Sequence, residues 1–273
     1  MIHIVDMAGL IIAMLLTGAV GGVLAGLLGV GGGLVIVPML EATLAYVGVD
    51  ASVRMHIAVA TSLATIIPTS ISSARAHYRR QSIDFELIRY WSPYIVVGAI
   101  AGTVIAANVG GWVLAAIFAA VALSAAIKMI LPLDGTIIAA DIPRGLLGPG
   151  IPIGIGAVST LMGIGGGTLS VPAMTLSGKP IHLAVGTSAL FGLVIAVPST
   201  IGYIATGWNN AALPVGSLGY VNALGFALIA PATVLFAPLG ARIAHALSHR
   251  VLSLLFGLFL LGIAARMALR ALA

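Results

Sequence analysis

The sequence predicts an all-α integral membrane protein built from two homologous halves. Three observations predict it. Hydrophobic residues make up 60% of the chain and charged residues 7%, whereas a soluble domain carries about 25% charged residues. Mean hydropathy is +1.20. One glycine phrase also occurs twice: Gly29-Val30-Gly31-Gly32-Gly33 with Pro38 downstream, and Gly163-Ile164-Gly165-Gly166-Gly167 with Pro172 downstream. All matched positions in the two copies fall at one offset.

The apolar segments follow in order. They run Ala8–Leu28, Leu34–Tyr46, His56–Ser73, Ile88–Ala107 and Trp112–Leu131. The second set is Ile151–Met162, Thr168–Leu176, His182–Ala205, Gly216–Phe236 continuing to Leu247, and Val251–Leu272. Between them lies the polar stretch Leu133–Arg144, with Asp134, Asp141 and Pro143. Residues 1–132 are therefore read as the first membrane repeat, 133–144 as a linker and 145–273 as the second repeat. The start, Met1–Asp6, lacks a basic stretch and a cleavage site, so it reads as part of a retained span rather than a signal peptide.

The duplication extends past the glycines. His56–Ser62 matches His182–Ser188, and Pro68-Thr69-Ser70 matches Pro198-Ser199-Thr200. Later, Gly102 pairs with Gly240, Phe118 with Phe256 and Lys128-Met129 with Arg266-Met267. Three matches in one order mark an internal repeat.

Charge bears on orientation. Arg75, His77, Arg79 and Arg80 follow the third segment of the first half, while Arg242, His245, His249 and Arg250 lie one connection later in the second. If basic loops face the cytoplasm, the halves are inverted, with an odd number of crossings each. Arg54, Arg266 and Arg270 then lie on the other side. A parallel arrangement with four crossings per half is the rival. A span needs roughly 20 residues, so each short glycine-flanked pair forms either a re-entrant hairpin or two tilted spans. This gives about 8–10 membrane segments. Gly18, Gly22 and Gly26, and again Gly98 and Gly102, recur at the spacing that lets helix backbones approach closely in lipid. Trp91, Trp112 and Trp208 fall near predicted span ends.

The glycine tips carry the chemistry. Each precedes a new helix start, where backbone N–H groups lack partners and the dipole is positive. Glycines expose those donors to a ligand. Gly29, Gly31, Gly32 and Gly33, and Gly163, Gly165, Gly166 and Gly167, are thus candidate contacts for a small anion, with tight helix packing as the alternative. The hydroxyls of Thr61, Ser62, Thr168, Thr187 and Ser188 are candidate donors to the same ligand, or else bond to carbonyls of their own helices. Pro38 and Pro172 are candidates to kink or stop the short helices.

Glu41, His56 and His182 are candidate coupling or gating groups; the competing reading places all three at the interface. Asp84, Glu86 and Arg89 read as a solvated cytoplasmic edge.

Several chemistries are excluded. The net charge of +5 reflects few acids and basic residues at membrane edges, not nucleic-acid binding. There is no phosphate-binding loop for ATP, no metal-ligand spacing, no nucleophile elbow and no cysteine. No cofactor and no enzymatic reaction are expected.

The doubled glycine segment, the His/Ala/Val/Thr-Ser stretch and the closing Gly240–Arg250 helix resemble the sulfite exporter TauE/SafE family (toluene sulfonate uptake permease). The resemblance covers nearly the whole chain. It implies a multi-pass permease of the prokaryotic inner membrane that carries sulfite, sulfoacetate or other organosulfonates by alternating access. An anion channel, or a membrane scaffold without transport, are the alternatives. A proton or another coupling ion and a homo-oligomer are compatible with the sequence, which does not decide between import and export.

Overall fold

A computed structural model gives the fold and describes residues 4–28, 32–131, 148–246 and 249–272. The polar linker, Gly29 and Gly31 lie outside the described residues.

The first half contributes α1 (Ile4–Leu28), α2 (Gly33–Tyr46), α3 (Ala51–Arg79), α4 (Phe85–Ala107) and α5 (Gly111–Ile130). The second contributes α6 (Gly150–Met162), α7 (Gly167–Leu176), α8 (Ile181–Gly207), α9 (Ala223–Ala246) and α10 (His249–Leu272). Between α8 and α9 lies a small antiparallel hairpin, β1 (Ser217–Leu218) and β2 (Val221–Asn222). Among the described residues, six helices are long and apolar enough to cross a membrane. The protein is therefore an all-α membrane protein. Large apolar side chains such as Val97, Val104, Leu235, Leu255 and Leu258 are exposed on its outer faces, as lipid contact requires.

Local chemistry sets the helix ends. Asp50 accepts from the Ser52 N–H at the start of α3, and Asp84 from the Leu87 N–H at the start of α4. Asn222 accepts from the Gly225 N–H at the start of α9. Asp84 and Leu87 pair with Asn222 and Gly225 at the same offset that pairs Gly102 with Gly240. The short helices end in left-handed glycines: Gly48 after α2, Gly163 after α6 and Gly178 after α7. At each, the next residue's N–H reaches back to close the last turn: Val49 to Leu44, Ile164 to Ser159 and Lys179 to Met174.

The halves interlock. α1 packs on α9, and its equivalent α6 packs on α4. α3 lies against α8 and α5 against α10. Equivalent helices run antiparallel. Gly186 and Thr187, early in α8, meet Ser82 and Asp84, just beyond the end of α3. Gly207, at the end of α8, meets Tyr220, which stacks on His56 near the start of α3. Likewise Gly257, early in α10, meets Ala126 and Ile130 at the end of α5. Arg270, late in α10, bonds the Ala51 carbonyl, beside Gly111 at the start of α5. The bundle thus has an Arg79 end and an Arg54 end. Arg75, Arg79, Arg80, Arg89, Lys128, Lys179 and Arg250 sit toward the first, and Arg54, Arg266 and Arg270 toward the second.

Four expectations are corrected. Gly216–Asn222 is turn and hairpin rather than helix, because Gly216 and Gly219 adopt positive φ and Pro214 precedes them. Trp91 is not at an interface: it is buried and stacked on Phe191, with ring centroids 5.6 Å apart. Trp112 and Trp208 are exposed, both at the Arg54 end. Pro38 and Pro172 stop neither short helix; each lies inside one. His56 is buried, its Nε2 donating to the Ala106 carbonyl at 3.0 Å, whereas His182 is exposed.

Glycine is required where helices cross between halves. A β-carbon at Gly98 would lie 2.1 Å from Ile153 O, and one at Gly156 2.2 Å from Ile95 O. Gly18 and Gly22 meet the α9 backbone at Ile229 and Thr233 in the same way. Overpacking of this kind costs about 1–3 kcal/mol or more. Gly98→Val and Gly156→Val are therefore expected to lower the melting temperature of the detergent-purified protein by several degrees or abolish its folding. Gly154→Ala, where a β-carbon meets nothing within 4 Å, is expected to leave the temperature unchanged.

Candidate functional site

The two glycine tips enter the bundle from opposite ends and meet inside it. α1 and α2 form a hairpin whose base is at the Arg54 end; α6 and α7 form one whose base is at the Arg79 end. Gly32 adopts φ 72° at the first tip. A β-carbon at Gly33 would lie 2.5 Å from Gly163 O, and one at Gly163 would lie 2.8 Å from Val59 Cα. Ser62 Oγ donates to Gly163 O at 2.7 Å. Gly33 and Gly163 thus serve contact between the tips, while Gly32 makes the left-handed turn that starts α2.

The second tip also lines a cavity of about 340 Å3. Gly165, Gly166 and Gly167 form one wall, where α7 begins. Thr69, Ser70, Ser72, Ser73, Ala76 and His77 of α3 form another. α8 contributes Ser188, Ala189 and Gly192, and α9 contributes Thr233, Val234, Ala237 and Pro238. The cavity opens toward the Arg79 end, where Ser72, Ser73 and Ala76 are exposed. Its chemistry is specific: hydroxyls on several sides, the first N–H groups of a helix, an imidazole at the mouth, and no carboxylate among the described lining residues. Such a surface suits an anion small enough to be held by hydrogen bonds. Among the described residues no cluster of His, Cys, Asp or Glu fits a metal ion.

Comparison with known proteins fits this architecture. The model of the family described as Sulfite exporter TauE/SafE matches residues 14–267. The chain belongs to that family. It is similar to a probable membrane transporter protein of Haemophilus influenzae, 35% identical over 262 residues that cover 95% of this chain and 98% of that protein. A probable membrane transporter protein of Methanocaldococcus jannaschii is 26% identical over 269 residues, covering 91% and 94%. One from Bacillus subtilis is 27% identical over 218 residues, covering 73% and 80%. No solved structure matches. The chain is a multi-pass membrane transporter and not an enzyme.

The transporter brings only some of the sequence candidates to the cavity: Gly165, Gly166, Gly167 and Ser188. Gly166 also packs tightly, since a β-carbon there would lie 2.8 Å from Ser188 O and Gly192 N. Thr61 and Thr187 lie elsewhere, in matching roles. Thr61 Oγ1 accepts from the Asn222 N–H, and Thr187 Oγ1 from the Asp84 N–H, both at 2.9 Å. Each pins the start of the other half's fourth helix. Thr168 does not line the cavity; its Oγ1 is buried without a hydrogen-bond partner among the described residues. His182 and Pro172 stand apart from the cavity, and so do Pro38 and His56 near the Arg54 end. The sequence reading missed Thr69, Ser70, Ser72, Ser73, His77 and Thr233. The signal was present: four hydroxyls within Thr69–Ser73, inside an otherwise apolar helix.

Glu41 is buried and surrounded by cations toward the Arg54 end. Arg270 Nε lies 3.1 Å from Oε1, Arg266 Nη2 3.3 Å from Oε2, and Arg54 Nε 3.9 Å from Oε1. The Pro38 carbonyl accepts from Arg266 Nη1 at 3.1 Å. These contacts tie α2 to α3 and α10.

Asp84 is not simply solvated. Its Oδ2 accepts from Lys179 Nζ at 2.8 Å, joining α4 to the α7–α8 turn. Partial burial pushes the carboxyl up, but the hydrogen bonds from Lys179 and the Leu87 N–H, with the Lys179 charge, outweigh it and hold the group below its ordinary value of 3.8. A depressed carboxyl stabilises the fold above its unfolded value, and the contribution is lost as pH falls through the lower folded value. Asp84→Asn is therefore expected to cost about 1 kcal/mol at neutral pH. In thermal melts, the gap between this variant and the native transporter should close as pH drops below about 4. A gap that persists there would mean the ion pair contributes nothing.

Proposed function

We propose that this transporter is a secondary carrier of small sulfur-containing anions, such as sulfite, sulfoacetate or other organosulfonates. The observation that carries the proposal is the cavity at the second glycine tip, where hydroxyls and a helix start converge without an acid. A tetrahedral or pyramidal oxyanion presents several acceptor oxygens. The donors facing it are the Ser70, Ser72 and Ser73 hydroxyls and the first N–H groups of α7, since Thr69, Ser188 and Thr233 donate to carbonyls of their own helices. The family description adds the sulfur-anion class.

Gly165–Gly167, Ser70, Ser72 and Ser73 are assigned to substrate, with His77 at the entrance; Thr69 and Ser188 line the cavity but donate to carbonyls of their own helices. The halves are read as inverted repeats in the bilayer. The antiparallel course of equivalent helices and the entry of the two hairpins from opposite ends support this, because repeats related by an axis along the membrane normal would keep equivalent helices parallel. The excess of basic residues at the Arg79 end supports reading that end as cytoplasmic, and the family supports the inner membrane of a prokaryotic cell as the protein's location. Discontinuous helices at the centre of an inverted repeat are the arrangement in which rocking of the halves exposes one site to each side in turn. As a coupling group Glu41 has little support, since both its oxygens are engaged by arginines and it stands apart from the cavity.

The test is uptake of labelled sulfite and of a small organosulfonate into proteoliposomes of purified protein, with and without unlabelled substrate inside. A carrier accelerates uptake when substrate is inside; flux without acceleration would favour a channel, and no flux would leave a scaffold. The double variant Ser72→Ala/Ser73→Ala is expected to raise the KM about tenfold or more, because each hydroxyl donates to a charged group. An unchanged KM in a variant that remains folded would overturn the site.

A further inference from the structure

The two-fold relation between the halves gives the open cavity a counterpart on the other side. Carrying the register forward from Pro68–Ser70 and Pro198–Thr200, Thr69 and Ser70 correspond to Ser199 and Thr200. Ser72 corresponds to Gly202, Ser73 to Tyr203 and His77 to Gly207. The open wall and the matching wall differ in one respect: the second is filled. Tyr203 is buried where Ser73 is exposed. Gly202 packs against the Thr103 side chain, 2.5 Å from a β-carbon placed there. Gly207 is covered by the hairpin, whose Tyr220 N would lie 2.6 Å from its β-carbon. Tyr220 N–H donates to the Tyr203 carbonyl at 3.2 Å, and the Tyr220 ring sits between His56 and Tyr203, with centroids 5.0 and 6.2 Å away.

Behind these rings is a polar patch inside an apolar bundle. Thr160 Oγ1 and Ser199 Oγ are 2.6 Å apart, and Tyr203 Oη donates to Thr160 O at 3.3 Å. Ser159 is fully buried and Thr200 is 8% exposed. The hydroxyl oxygen of each has no hydrogen-bond partner among the described residues. A buried hydroxyl left unpaired is costly unless another state of the molecule satisfies it.

We propose that Ser159, Thr160, Ser199 and Thr200 form a second anion half-site, which opens to the Arg54 end when the cavity at the Arg79 end closes. Tyr203 and Tyr220 are its gate. The half-site takes the same small oxyanions as the open cavity, so the inference rests on the carrier reading above and adds to it the far side of the path. The hairpin has no counterpart in the first half, where Gln81–Asp84 joins α3 to α4 directly. The gate therefore belongs to one side only.

The chain has no cysteine, so single cysteines can be placed without altering the background. Ser73→Cys reports the open cavity, and Thr200→Cys, with Ser199→Cys as a second reporter, reports the hidden patch. Each is treated with a membrane-impermeant cationic thiol reagent in right-side-out and inside-out vesicles, with methanesulfonate as the ligand because it does not consume the reagent. Ser73→Cys is expected to react from the Arg79 side and to be protected by methanesulfonate. The patch cysteines are expected to react only from the Arg54 side, and about tenfold faster once Tyr220→Ala removes the ring contacts. If both patch cysteines stay unreactive with and without Tyr220→Ala while Ser73→Cys is protected, the half-site is wrong and the cavity assignment stands. If they react equally from both sides, the path is a continuous pore and the gate is wrong. If Ser73→Cys reacts but is not protected, the cavity assignment itself falls.

Discussion

Gly33 lies so close to the Gly163 carbonyl that a β-carbon would come within 2.5 Å of the oxygen. This contact between two hairpin tips, one from each half, is what the rest of the bundle accommodates. Neither α2 nor α7 crosses a membrane alone, because they have 14 and 10 residues and a crossing needs roughly 20. Backbone that is not helical is tolerated at membrane depth only when it is buried in protein or lines a cavity. Here it does both: Gly163 packs on Val59, while Gly165–Gly167 line the cavity.

The long helices hold the tips together by exchange. α1 crosses α9 and α6 crosses α4, so each hairpin is anchored on the opposite half. Glycines at these crossings bring backbones close enough for dispersion to act along the contact, which matters in lipid, where apolar side chains gain little by associating. The threonine bonds from Thr61 to Asn222 and from Thr187 to Asp84 repeat the exchange with polar groups.

Symmetry of sequence is not matched by symmetry of packing. Small hydroxyls stand along α3 where α8 carries Gly202 and Tyr203, and the connection after α8 grows a hairpin that the connection after α3 lacks. One side of the bundle therefore has a cavity and the other a polar patch sealed by rings. A carrier needs two unlike states of this kind, and their free energies must lie close enough for binding to tip the balance. In the proposed gate, the unpaired hydroxyls at Ser159 and Thr200 are where the closed face gives up some stability.

The sequence by itself determined the lipid environment, the ten apolar segments and the duplication. Hydropathy and repeat spacing are local properties, and they survive translation into structure with little change. The helix break at Gly163 was legible for the same reason, whereas α3 and α4 begin at Ala51 and Phe85, ahead of the His56 and Ile88 starts read from hydropathy. What only the tertiary structure decided was which polar groups share a space. Thr61, Ser62 and Thr187 carry the same chemistry as Ser72 and Ser73, yet the first three are used within the fold and the last two face a cavity. Trp91 and His56 sit near helix starts, as interfacial residues do, but packing between helices buries them. Whether a hydroxyl binds a neighbouring helix or a ligand depends on what the chain brings opposite it from more than a hundred residues away, and no periodicity along the chain records that.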